Sequence, residues 1–104
     1  MGAYNPLGAG SPLTGVAGQV PATATITNVS STVLAANTAA VLIFISNIGN
    51  QDAYITTGQT AIAGTGVYIA KGDARYFPLY GKMVEEITGI TAAGTTILTM
   101  QVWE

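Results

Sequence analysis

The sequence predicts an all-β protein: a single antiparallel β-sandwich, jelly-roll-like, of seven or eight short strands, with an extended arm at its N-terminus. Three observations predict it. Short runs rich in Val, Ile, Thr and Tyr recur along the chain, and several alternate apolar with polar. Clusters of Gly, Asn and Asp separate them at fairly regular intervals. No long stretch carries the i, i+3, i+4 spacing of an amphipathic helix.

The chain divides at Pro21. Met1–Pro21 holds three of the four prolines among scattered glycines. It therefore shows neither a helical nor a strand period and reads as an extended segment. Such a segment has too little apolar surface to order itself. It is expected to dock on a neighbouring surface, with Tyr4, Leu7 and Leu13 as anchors.

Ala22–Glu104 is the sandwich domain. Ala22–Val29 alternates small or apolar residues with threonine and reads as a strand, followed by a turn and a second short strand, Thr32–Ala36. Ala39–Ile45 is the longest unbroken apolar run. With the turn Asn47-Ile48-Gly49-Asn50 and the run to Thr56, it reads as a hairpin around which the rest is organised. Alternation places Val41, Ile43 and Ile45 on the core face and Leu42 and Phe44 on the opposite face.

Thr57–Gly66 carries three glycines and is expected to be an irregular loop. Val67–Ala70 and Ala74–Leu79 flank Lys71-Gly72-Asp73, which reads as a second hairpin turn, and Pro78 marks an edge or a strand end. In Lys82–Ile90 the Val, Ile and Thr content favours strand, while Gly89 and the Glu85–Glu86 pair leave a helix open. Thr95–Trp103 alternates clearly. Leu98, Met100 and Val102 form its natural core face; Ile97, Thr99, Gln101 and Trp103 form the other.

The composition is unusual in charge. Hydrophobic residues make up 49% of the 104 residues and charged residues only 8%, against roughly 25% charged in an ordinary soluble domain. A net charge of −2 does little to keep copies apart. The deficit predicts a surface covered by partners in the working state. With three basic residues, Lys71, Arg75 and Lys82, no positive field suits nucleic acid. No apolar run approaches the roughly 20 residues of a spanning helix, so no membrane partner is expected.

Histidine and cysteine are absent. This removes the usual zinc, copper and haem ligands and every His- or Cys-based nucleophile. Neither a metal, a cofactor nor a catalytic residue is assigned, and the chain is read as a non-enzyme. The adjacent Glu85 and Glu86 would point to opposite faces of a strand and read as solvated charge. Asp52 beside Asn50 and Gln51 reads as turn chemistry. Tyr68, Tyr76 and Tyr80, with Phe77, form the aromatic group best suited to an interface or, alternatively, to sugar stacking. Tyr68 and Tyr76 flank the expected second hairpin turn and would share one face.

Several motifs carry a family likeness. They are Ser-Ser-Thr-Val-Leu-Ala-Ala-Asn-Thr-Ala (Ser30–Ala39), Ile-Ser-Asn-Ile-Gly (Ile45–Gly49), Ala-Tyr-Ile (Ala53–Ile55), Gly-Thr-Gly (Gly64–Gly66), Ala-Lys-Gly (Ala70–Gly72) and Ile-Thr-Ala-Ala-Gly-Thr-Thr (Ile90–Thr96). In these the chain resembles small β-sandwich structural proteins of tailed bacteriophages, the head decoration or cement and accessory proteins. The resemblance spans about four fifths of the chain and implies a virion protein on the outer capsid surface. It implies contact with the major capsid protein or other virion subunits, and a homo-oligomer, a trimer being favoured. A host-receptor or carbohydrate-binding module of a head fibre or tail is the alternative role. Where that class usually carries charged or polar residues, this chain has Ala39, Ala40, Leu42 and Phe44. The Leu42–Phe44 face is therefore expected to be buried against another subunit.

Overall fold

A computed structural model describes residues 20–104. Among them there is no helix and there are eight strands: β1 (Val20–Ile26), β2 (Ser31–Leu34), β3 (Leu42–Asn47), β4 (Ala53–Thr57), β5 (Val67–Ile69), β6 (Ala74–Pro78), β7 (Ile87–Thr91) and β8 (Thr96–Trp103). They form two four-stranded antiparallel sheets, in the orders β1-β8-β3-β6 and β2-β7-β4-β5. Only β4 and β5 are both consecutive and paired. Every other link carries the chain from one sheet to the other, which is the double Greek-key order of a jelly roll.

The core follows from strand alternation. Ile43 and Ile45 of β3 and Leu98, Met100 and Val102 of β8 face inward from the first sheet. Val33, Ala53, Ile55, Ile69 and Ile87 meet them from the second. Gly89 of β7 has a packing reason to be glycine: a Cβ there would lie 2.6 Å from a Val33 methyl.

Four expectations are corrected. Ala40–Thr56 is not a hairpin, because β3 and β4 lie in different sheets. The link Ile48–Asp52 must cross the roughly 10 Å between packed sheets rather than the roughly 4.8 Å between paired strands. Lys71-Gly72-Asp73 is likewise an arch between sheets and not a hairpin turn.

Val41 is not a core residue. It lies just ahead of β3 at the rim, 46% exposed, while Ala40 before it is buried at 4%. Within Lys82–Ile90 the favoured strand forms from Ile87, where β7 begins, while Met83 ahead of it bridges Asn37. Glu85 and Glu86 consequently precede the strand instead of alternating across it. The first strand, β1, begins at Val20, one residue ahead of Pro21.

Candidate interaction surface

The outer face of the β1-β8-β3-β6 sheet is built in rows set by the register. Pro21, Gln101, Phe44 and Tyr76 stand side by side across the four strands. Thr23, Thr99, Ser46 and Ala74 form the next row, and Trp103, Leu42 and Pro78 flank the first on its other side. None of these residues is charged. All eight charged side chains of the protein lie between Asp52 and Glu104, in inter-strand segments and at the chain end, apart from Arg75. Arg75 pairs with inward-facing Ile45 on an edge strand, and so sits on the opposite side of β6 from Tyr76.

Phe44 and Tyr76 are the centre of this face, with ring centroids 4.6 Å apart and planes tilted by 46°. Such a pair contributes about 0.5–1.5 kcal/mol beyond its area burial. Leu42 and Phe44 are half-buried, Tyr76 is 56% exposed and Ile97 is 38% exposed. A shallow trough of about 440 Å³ runs beside Phe44 over Pro21, Thr23, Thr99 and Gln101. In the flanking row Trp103 is on the outward register yet only 3% exposed, and its indole N–H has no acceptor among the described residues.

The sheet edges are poor contact points by comparison. Pro21 in β1 and Pro78 in β6 remove ladder donors from both edges of this sheet. In the other sheet β5 has three residues, and the register of β2 shifts between Thr32 and Leu34.

The outer face of the second sheet differs. Loop residues after β4 lie over part of it: the Thr88 hydroxyl donates to Gln59 O at 2.6 Å, and Ala61 N donates to Ser30 Oγ at 2.8 Å. What remains open carries Tyr54 and Tyr68, paired in register with centroids 5.4 Å apart. The Tyr68 hydroxyl donates to Asp52 Oδ2 at 2.8 Å, and Lys71 N donates to Asp52 Oδ1 at 3.0 Å. The Lys71 main-chain N–H first, and then the Tyr68 hydroxyl, hold the Asp52 carboxyl below its ordinary pKa. The same bond to Asp52 raises the Tyr68 phenol above its own.

The residues expected at an interface are thus divided. Leu42, Phe44 and Tyr76 come together on the uncharged face. Tyr68 is on the other sheet, so it does not share a face with Tyr76; the arch at Lys71–Asp73 separates them. Tyr80 follows β6 and is 98% exposed, apart from both faces. Tyr4, Leu7 and Leu13 lie outside the described residues. Two features went unrecognised in the sequence. Tyr54 lies on the outward positions of an alternating strand, which was a usable signal. The burial of Trp103 left no local trace.

No family model and no curated protein matches the chain. Solved structures do. The plu4264 protein from Photorhabdus luminescens superposes with a TM-score of 0.53 at 17% identity, over 89% of this chain and 69% of that one. PirA follows at a TM-score of 0.49 and 10% identity, over 81% and 93%. A protein of the Bacillus endospore appendages, described as disulfide-linked pili, gives 0.45 and 16%, over 83% and 85%. At these identities the first likeness establishes the shared fold alone, and the other two carry no argument.

Proposed function

We propose that this is a non-enzymatic structural protein of a phage virion, a capsid decoration or cement protein that binds the assembled head shell and stabilises it. The observation that carries the reading is the uncharged outer face with Leu42, Phe44 and Tyr76 at its centre. An exposed apolar patch of this kind marks an interface. The jelly-roll order is compatible with it, since the architecture recurs in viral shells. The same architecture also serves lectins and cupins, so the weight rests on the face and not on the fold. Many weak contacts repeated around a symmetric shell add strongly in avidity.

The test is direct. Purified protein mixed with undecorated shells is expected to co-sediment with them and to raise their melting temperature. Absence of both effects overturns the reading.

A second reading is favoured by one observation, the Tyr54–Tyr68 pair with the Asp52 carboxylate beside it. Stacked aromatics next to a hydrogen-bonding carboxylate suit a carbohydrate. In this reading the chain is a receptor- or glycan-binding module. Saturable binding on a glycan array, abolished by Tyr54→Ala but not by Tyr76→Ala, would establish it.

A further inference from the structure

We propose that the uncharged face of the β1-β8-β3-β6 sheet receives residues 1–19 of a neighbouring copy of this chain, so that copies join by exchanging arms. The inference rests on reading that face as an interface, but on no particular larger assembly.

The first argument is chemical. Residues 1–19 contain no Asp, Glu, Lys or Arg, while they supply Tyr4, Leu7, Leu13 and Val16. The face that would receive them is equally free of charge. Their contact strands no ion away from water, which any contact at the charged ends of the sandwich would do.

The second argument is position and reach. Val20 pairs with Val102, so β1 begins next to the Trp103 end of β8, at a corner of this same face. Nineteen extended residues reach up to about 60 Å, whereas four strands span only about 20 Å. The segment can therefore cross to a neighbour and still lie over its face.

The third argument is area. Two bare faces pressed together would bury roughly 400 Å² each, given strand spacing and rise. Specific interfaces need about 800 Å² from each partner. In an exchange each copy contributes an arm as well as a face, which brings the buried surface into that range. An arm-to-face contact is head-to-tail, so it closes into a ring when the rotation permits.

The experiment uses the chain of residues 1–104. One variant disables the arm (Leu7→Asp with Leu13→Asp), and another disables the face (Tyr76→Lys, an exposed site that leaves the core intact). Sedimentation velocity is read for the wild type, for each variant alone and for their mixture. Wild-type chains are expected to be oligomeric. Each variant alone should be monomeric. Mixing them should restore association, because the arm variant's intact face accepts the other variant's intact arm. A wild-type monomer, variants that keep the wild-type oligomer, or a mixture that restores nothing would each overturn the proposal. No shell is present in this assay, so its failure is distinct from a failure of shell binding.

Discussion

The hydroxyl of Thr96 donates a 2.7 Å hydrogen bond to the side-chain oxygen of Asn47, and both residues are sealed from solvent at 1% and 0% exposure. That oxygen also accepts from Gly49 N at 3.2 Å, while the Asn47 amide donates to Gln51 O at 2.8 Å and Ile69 O at 3.0 Å. Its main chain pairs with Asp73 O and Gly72 N. One asparagine thus ties the β3–β4 arch, the β5–β6 arch and the start of β8 at a single end of the sandwich. It ties the two sheets together by pairing several of the polar groups that this crossing buries.

Asn47→Ala should therefore be costly. It leaves two carbonyls, a main-chain N–H and a hydroxyl without partners in a buried site, a loss of about 2–5 kcal/mol. Thr96→Val removes the donor to Asn47 and a long 3.5 Å bond from Gln51 N, and should cost less, about 1–2 kcal/mol. Urea denaturation of both variants measures the difference. A loss below about 1 kcal/mol for Asn47→Ala would show that the arches are held by something else.

Gly49 and Gly81 make a controlled pair. A Cβ at Gly49 would stand 2.6 Å from Ile97 N and 2.8 Å from Thr96 Cα, main-chain atoms that cannot move aside. At Gly81 nothing lies within 4 Å, and no left-handed backbone is required. Gly49→Ala is expected to lower stability by about 2 kcal/mol or more. Gly81→Ala should be neutral or stabilising by up to about 1 kcal/mol, through the unfolded chain. Equal thermal shifts for the two variants would contradict the tight approach of the β3–β4 arch to β8.

These contacts also locate what was legible in the sequence. The alternation in Thr95–Trp103 assigns Leu98, Met100 and Val102 to the core, and they are buried. The alternation in β3 puts Leu42 and Phe44 on the outward face, as found. What alternation cannot carry is the identity of the pairing partner. An Asn/Gly link with apolar runs on both sides looks the same whether it joins neighbours in one sheet or arches between two. In this fold β1 pairs with β8, far away along the chain. For that reason the sequence pattern puts Tyr68 and Tyr76 on one face, whereas the arch sends them to different sheets. Trp103 shows the same limit, because its burial depends on neighbours that its local pattern does not encode.

The Asp52–Tyr68 bond predicts two opposite pH limbs. The carboxyl of Asp52 is lowered in the folded state, so its contribution is present above the unfolded value, near 3.9, and is lost as the pH falls through the folded one. Tyr68 is raised, so its contribution is present below its unfolded value near 10 and is lost as the pH rises through the folded one. Asp52→Asn should accordingly lower the melting temperature at pH 7, and the gap to wild type should shrink below about pH 4. Tyr68→Phe should show a gap that shrinks instead in strong alkali. A constant gap across either limb would mean that the bond does not persist in solution.

Pro78 tests whether the sheet edges are kept closed so that association goes through the face. It is exposed at the end of β6, opposite Leu42, on the open side of its sheet. A valine there restores a main-chain donor and raises strand propensity at an edge with no neighbour. Folding stability should change by no more than about 1 kcal/mol, as for most exposed sites. Edge-to-edge association should nevertheless increase, seen as light scattering and thioflavin-T fluorescence on incubation. Adding Tyr76→Lys to Pro78→Val separates the two routes, because a charge on the face does not obstruct an unblocked edge. If the double variant stays clear where Pro78→Val aggregates, the new contact runs through the face, and proline at this position has no protective role.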